Sequence, residues 1–298
     1  MPNIRHLRRR IKSIKDTAQI TRAMQMVAAS KMHRAQQMAL AGRPYADLMA
    51  SFVGIVTAHA GDFVHPLMQH RPVHRRGVIV VSSDKGLCGP LNSNLLRELA
   101  AFDPDTTLFV AVGRKAAQHI PRMRRQLVAE FSYSDTPQFA EARAISKFAR
   151  DMFLNGEVDH VDVLFTRFIS TLKQRPELVP FLPAGELKGA WLGQLWPPAT
   201  GTGTQPARPD EPSGEFMFEP SAAAVFEALL PHYLNFFMYQ VLLEAKASEH
   251  SARMVAMKNA TDNANQLIAE MTLEYNKLRQ ASITNELLDI CSAQMAME

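Results

Sequence analysis

The chain has 298 residues, of which 47% are hydrophobic and 21% are charged, and its formal net charge is +4. This length can bury one large core or two modest ones, and the composition excludes a disordered or fibrous protein. The two cysteines, Cys88 and Cys291, form no CxxC pair, which argues against a disulfide framework or a zinc site and favours a reducing cytoplasm.

The first predicted element is a long N-terminal helix. No Gly or Pro occurs from Asn3 to Ala41. Past Gly42 and Pro44 the helical pattern resumes, so we expect a kinked helix that continues to about Ala60. The apolar positions step by three and four residues, as in a coiled-coil seam. The clearest of them are Ile4, Leu7, Ile11, Ile14 and Ala18.

The middle of the chain alternates between short apolar runs and amphipathic stretches. Such alternation predicts a small α/β domain with a largely parallel sheet. We predict strands at 77–83, 107–112 and 161–169, and helices at 91–101, 115–120 and 139–153. Residues 183–220 are rich in Gly and Pro, which is typical of a loop or linker.

The C-terminal segment predicts an even longer helix. Residues 232–298 contain neither Gly nor Pro, and Pro231 stands where a proline could begin a helix. Such a helix is not stable alone in water, so it needs a partner along its apolar seam. The seam positions are Leu234, Phe237, Val241, Ala245, Ile268, Met271, Tyr275, Leu278 and Ser282.

Together these elements predict an α/β fold class: a long antiparallel coiled coil of N- and C-terminal helices with an inserted Rossmann-like α/β domain. We assign residues 1–62 to the first helix and 73–200 to the α/β domain. A Gly/Pro-rich linker at 201–220 and a helix at 221–298 follow. The longer C-terminal helix should protrude beyond the pair.

Motifs for enzymatic chemistry are missing from the sequence. It contains no Walker A lysine motif, GxGxxG, GxSxG or HExxH, so we expect no cofactor and no catalytic residue. His65, His70 and His74 could in principle hold a metal, but their spacing matches no helix face and a solvated connector is preferred. Cys88 is interpreted as a small buried hydrophobic residue rather than a reactive thiol.

The segment from Ser82 to Asn94, with sequence SSDKGLCGPLNSN, contains Asp84, Lys85, Gly86, Cys88 and Gly89. A strand end followed by a glycine turn and a helix start is where α/β folds bind anions. The alternative, which the physics favours, is a tight turn in which Gly86 and Gly89 adopt backbone angles that other residues avoid.

Residues 1–34 carry nine Lys or Arg against Asp16 alone. This basic helix could bind nucleic-acid phosphates, be a solvated face, or contact acidic partner surfaces. Residues 1–44 contain no Phe, Tyr or Trp for base stacking, so we expect no nucleic-acid partner.

Four motifs in order resemble the gamma subunit of F-type ATP synthases. They are IKSIKDTAQITRAMQMVAASKM at 11–32, the loop at 82–94, EHSARMVAM at 249–257 with ATDNA at 260–264, and YNKLRQASITNEL at 275–287. Residues 103–240 resemble the family by pattern only. The tip sequence CSAQMAME and Lys85 depart from the family's usual residues.

The resemblance implies a rotor subunit that is not an enzyme by itself but part of a proton- or sodium-translocating ATP synthase. Implied partners are three alpha and three beta subunits, the epsilon subunit and the membrane ring of c subunits. The implied location is peripheral, on the cytoplasmic side of a bacterial inner membrane. The implied partner-binding residues are Arg279, Gln280 and Thr284, near Met24 across the coiled coil, with Met295 in the apolar tip.

Two other functions fit the pattern less well. A coiled-coil scaffold or nucleic-acid-associated protein would also place an insert between paired helices, but the chromosome-maintenance type needs a Walker A motif that is missing here. A small α/β enzyme with helical arms would need a catalytic constellation, and the sequence contains none.

Overall fold

The computed structural model describes residues 4–59, 65–184, 218–219 and 221–295. The chain divides into two compact units. The first consists of Met1–Ala29 with Arg253–Glu298, and the second of Ser30–Ala252. The two terminal helices each continue from one unit into the other.

The N-terminal prediction is confirmed as two helices, α1 (Ile4–Ala41) and α2 (Arg43–His59). They are separated at Gly42, where an added methyl group would overlap the side-chain amide of Gln240. The break therefore lies where another helix approaches the backbone closely.

The C-terminal helix, numbered α6 here, spans Ala222–Met295 and has 74 residues. The expectation that Pro231 begins this helix is wrong, because Pro231 lies inside it. Proline lacks the amide hydrogen of a regular helix, but the surrounding apolar residues Phe226, Leu230 and Leu234 are buried in the core. Packing therefore outweighs the local cost of the proline.

Helix α6 runs antiparallel to α1 and α2 in the second unit. The Tyr45 and Phe236 rings are 4.8 Å apart, Gly42 lies against Gln240, and Ala35 packs with Ala247. Partner numbers fall on α6 as they rise on α1 and α2, which is the antiparallel arrangement that the sequence predicts.

The second unit contains a five-stranded sheet in the order β3-β2-β1-β4-β5. Strands β1 to β4 pair in parallel, and β5 pairs antiparallel with β4. The strands are β1 (Arg76–Val81), β2 (Thr107–Val112), β3 (Gln126–Phe131), β4 (His160–Phe168) and β5 (Gln174–Leu182). The helices of this domain are α3 (Leu91–Arg97), α4 (Arg114–His119) and α5 (Phe139–Leu154), with 3₁₀ turns at Pro66–Met68, Glu98–Ala101 and Pro121–Met123.

Strands β3 and β5 were not predicted from the sequence. β5 contains Pro176 and Pro180, and proline normally argues against a strand. It is tolerated because β5 is an edge strand that pairs on one side only. β3 is the opposite edge, and its alternately exposed residues do not form a buried apolar run.

Each sheet face carries its own core. On one face Ile79, Val110 and Phe165 pack with α5 and with Phe237 of α6, whereas Val78, Phe109 and Leu164 pack with α3 and α4 on the other. The predicted linker at 201–220 lies outside the described residues, apart from 218–219. Among the described helices, none combines the length and the apolar character that crossing a bilayer demands.

Candidate functional site

In the first unit, α1 and α6 form the seam that the sequence predicts. The hydroxyls of Thr21 and Thr261 are 2.7 Å apart, which sets the register. Buried seam residues recur at intervals made up of steps of three and four, as knobs of a coiled coil do. They are Leu7, Ala18 and Ala28 on α1, and Met257, Thr261, Ala264 and Met271 on α6.

Beyond this paired region α6 continues alone among the described residues. With Thr21 opposite Thr261, Ile4 lies opposite about Leu278, so residues 279–295 extend roughly 25 Å further. Arg279, Gln280 and Thr284 are exposed there. The Thr284 hydroxyl donates to the Gln280 carbonyl at 2.9 Å, which leaves the long side chains of Arg279 and Gln280 as the groups able to reach a partner.

The predicted proximity of Met24 to these residues is wrong. Met24 is half-buried beside the Thr21–Thr261 contact. Arg279 lies 18 residues beyond Thr261, about 27 Å along the helix. The two positions therefore belong to different levels of the coiled coil, because an antiparallel pair brings together residues from opposite ends of the sequence. Met295 is the last residue of α6, and its side chain lies outside the described part.

Sequence reasoning placed the apolar contact surface at 291–298 and missed the preceding two turns. Ile283, Leu287, Leu288 and Ile290 are all exposed, up to 63% for Ile290. An exposed apolar surface of this kind is typical of a protein interaction site. The sequence gives the apolar residues but not their exposure, because that depends on the register at which α1 stops covering α6.

The loop after β1 is the tight turn preferred above, but the predicted backbone conformation is correct for only one of its two glycines. Gly89 has φ 57°, as predicted. Gly86 is not among the positive-φ residues, and an added methyl group there would meet nothing within 4 Å. Leu87 has φ 63° instead and is exposed. The left-handed conformation therefore falls on a leucine next to the glycine.

This loop uses its polar groups on the protein itself. At the start of α4 the amides of Arg114, Lys115 and Ala116 donate to Asp84 Oδ1, Ser83 O and Ser82 Oγ, at 2.9, 3.1 and 2.8 Å. These amides belong to the helix after β2, whereas the anion site predicted above is at the start of α3. The loop therefore connects the end of β1 to the start of α4 through three backbone amides.

Cys88 is buried, as predicted, against Leu91 and Ala252, and it accepts a hydrogen bond from Asn92 Nδ2 at 3.1 Å. His65 Nδ1 accepts from the Leu67 amide at 3.1 Å and caps a 3₁₀ turn. In the described part of the chain, no group of three or more His, Cys, Asp and Glu side chains is placed to hold a metal ion.

The carboxyl edge of the sheet, where α/β folds bind ligands, is covered by α6. The Phe168 amide at the end of β4 donates to Glu244 Oε1 at 3.2 Å. In the next hairpin the Thr171 carbonyl accepts from the Ser251 hydroxyl at 2.8 Å. The crevice that holds a nucleotide in other folds is therefore filled here by a helix of the same chain.

The segment of α6 that fills this crevice is polar and completely buried, a feature that the sequence analysis missed. Lys246 Nζ donates to Glu249 Oε2 at 3.0 Å and lies 4.2 Å from the centre of the Tyr133 ring. The Tyr133 hydroxyl donates to the Ser82 carbonyl at 3.0 Å. Burial, together with the nearby Glu249 carboxylate, raises the pKa of Tyr133 well above its ordinary value.

Comparison with known proteins places the whole chain in one family. A family model described as ATP synthase matches residues 3–297. The ATP synthase gamma chain of Opitutus terrae is 47% identical over 296 residues, covering 99% of both chains, and that of Methylacidiphilum infernorum is 42% identical over 302 residues, covering both completely. A chain in the cryo-EM structure of the Euglena gracilis mitochondrial ATP synthase rotor matches with a TM-score of 0.64 at 17% identity, covering 94% of this chain and 98% of that one.

Proposed function

Because this chain belongs to the family of ATP synthase gamma chains, we propose that it is the central-stalk rotor shaft of an F-type ATP synthase. It transmits ion-driven rotation to the catalytic subunits and is not catalytic by itself. The observation that carries this proposal is the extension of α6 as a single helix with an exposed apolar end beyond a paired coiled coil.

The partners follow from the family. Three alpha and three beta subunits surround the coiled coil, and the epsilon subunit and the ring of c subunits bind the α/β domain. The neighbouring rotor structure from Euglena gracilis supports the same fold for the stalk. The scaffold and nucleic-acid alternatives are not favoured, because full-length relatives are ATP synthase gamma chains.

The unpaired end of α6, residues 279–295, provides two kinds of contact that a rotating shaft needs. Ile283, Leu287 and Ile290 provide a non-directional apolar surface that can slide within a sleeve of partner side chains. Arg279 and Gln280 provide polar groups whose bonds to a beta subunit form and break in each turn. Rotation then presents one face of the shaft to three stator positions in sequence, and differential binding couples its angle to their nucleotide affinity.

The α/β domain contributes mechanics rather than chemistry in this proposal. Its carboxyl edge is occupied by α6 and its α4 amides are bonded to Asp84, Ser83 and Ser82. In this proposal the complex lies at the cytoplasmic face of a bacterial inner membrane, with this subunit peripheral and held there by its partners.

Reconstitution tests the function directly. Expressed together with alpha and beta subunits, the chain should co-purify as one copy per three alpha–beta pairs, and the complex should hydrolyse ATP. The isolated chain should show no ATP binding by equilibrium dialysis. Failure to assemble, or tight ATP binding by the isolated chain, would contradict the proposal.

Replacing Arg279 and Gln280 tests the coupling contacts. The double variant Arg279→Ala with Gln280→Ala should lower ATP synthesis by membrane vesicles about tenfold, because truncating an interface arginine removes a charge-assisted contact. A matched control is Gln266→Ala with Glu270→Ala, an exposed pair on the same helix bonded to each other at 3.0 Å. Equal rates in the two double variants would show that Arg279 and Gln280 carry no coupling contact.

A further inference from the structure

The middle of α6 combines features that do not normally occur together. Every residue from Val241 to Ser251 is buried, yet the segment includes Glu244, Lys246, Glu249 and Ser251, with Lys246 only 1% exposed. Burying charged groups is costly unless each is paired or hydrogen-bonded. A helix held only by apolar packing would avoid that cost, so the polar groups call for a role that apolar groups cannot fill.

The polar contacts hold the helix from two opposite sides. Glu244 and Ser251 are seven residues apart, about two turns, and therefore lie on one side. That side faces the end of β4 and its hairpin, through Glu244 to the Phe168 amide and through Ser251 to the Thr171 carbonyl. Gln174 Nε2 adds a third bond to the Ser251 hydroxyl at 3.3 Å.

The other side carries the ion pair. Lys246 and Glu249 lie roughly 140–200° around the helix axis from Glu244. The hydrogen bond between them lies within α6, and the contact with another element is that of Lys246 Nζ with the Tyr133 ring in the loop after β3. Tyr133 is in turn anchored to β1 through the Ser82 carbonyl. The same loop reaches α1, where Lys31 Nζ donates to Asp135 Oδ2 at 2.6 Å. The loop after β3 and the hairpin after β4 therefore contact α6 from two sides.

Directional contacts on opposite sides of a helix oppose its rotation about its own axis. Here they are the hydrogen bonds of Glu244 and Ser251 on one side and the cation–π contact of Lys246 on the other. Apolar contacts are non-directional and allow small rotations at little cost, whereas each hydrogen bond weakens steeply as its angle changes. A shaft that transmits torque must resist this rotation where it leaves the domain that drives it. Buried polar groups are best known for fixing register in this way.

We propose that Glu244, Lys246 and Ser251, with Glu249 balancing the buried charge of Lys246, form a rotational key that locks α6 against twisting within the α/β domain and sets the torsional stiffness of the shaft there. The key rests on the proposed rotor function. These four are positioning residues, because they transmit torque and touch no substrate.

One side of the key is removed without loss of packing by Lys246→Met together with Glu249→Leu. Replacing a buried ion pair with apolar residues of similar volume commonly preserves stability, and a methionine sulfur packs well against the Tyr133 ring. A second variant, Ser251→Ala, opens the opposite side. The matched control is His160→Leu with Asp162→Leu, which removes a buried pair bonded at 3.0 Å in the sheet, away from the key.

Angular fluctuation of a probe on the assembled complex measures the stiffness. The chain offers a clean attachment site: Asp105→Cys on an exposed turn in a Cys291→Ser background, since Cys88 is buried. With the alpha–beta ring fixed and stalled without nucleotide, the variance of the probe angle should rise roughly twofold in the Lys246→Met, Glu249→Leu variant, because the directional contact of Lys246 with Tyr133 is lost. Ser251→Ala should raise it less, and the control should match the wild type.

The outcomes separate the two proposals. If the wild-type complex fails to rotate the probe when ATP is added, the rotor function itself is refuted. If it rotates but the variance is unchanged in the key variants, or rises equally in the His160 and Asp162 control, the rotational key is refuted and the rotor function stands.

Discussion

Gly113→Ala is expected to destabilise the α/β domain by about 3 kcal/mol or more, because it combines a strained backbone with a steric clash. Gly113 has φ 101° and ψ 146°, a region essentially restricted to glycine. An added methyl group would overlap the Ser82 carbonyl oxygen, which also accepts the hydrogen bond from Tyr133. Urea unfolding of the purified chain measures the loss as a lower midpoint at unchanged slope.

Gly156→Ala is the matched control. Gly156 also has a positive φ, 74°, but a methyl group there would meet nothing within 4 Å. Only the backbone strain remains, so we expect a loss of about 1 kcal/mol. Equal losses in the two variants would show that the close approach to Ser82 contributes nothing.

Glu249→Leu alone is expected to cost about 3–5 kcal/mol, since it leaves the ammonium group of Lys246 buried without its carboxylate. The side chains of Lys246 and Glu249 are 1% and 3% exposed, so water cannot replace the lost partner. The effect is measured by the same urea titration on the purified chain.

Adding Lys246→Met to that variant should restore stability to within about 1 kcal/mol of the wild type, because the stranded charge is then gone. If the single and double variants were equally unstable, the loss would come from packing rather than from charge. The same double variant is expected to have a lower torsional stiffness. A near-normal free energy of unfolding would therefore show that the lower stiffness does not come from a less stable fold.

The sequence predicts most of the helical architecture because a long coiled-coil seam is a local, repeated signal. Leu7, Ala18 and Met271 stand at seam positions that can be read from spacing alone. Pro231 misled the prediction of where α6 begins, because its local preference is outweighed by tertiary packing. Pro176 and Pro180 hid β5 for the opposite reason: an edge strand accepts proline, and edge position is a property of the sheet.

The candidate site could be predicted only in part. The resemblance singled out Arg279 and Gln280, and the structure shows both exposed on the part of α6 that extends beyond α1. It could not give the distance from Met24, which depends on the register set by Thr21 and Thr261. Exposure of Ile283 and Leu287 likewise depends on where α1 ends relative to α6.

The sequence by itself determined the two long helices, the alternating α/β insert, the missing nucleotide motifs and the family. Each of these is written in residues near one another in the chain, as periodicity or as a contiguous motif. Only the tertiary structure decided that α6 fills the carboxyl edge of the sheet and buries Glu244, Lys246 and Glu249. A run of charged and small residues on a helix predicts a solvated face. Its burial here depends on contacts with Tyr133 and Phe168, which are distant in the sequence.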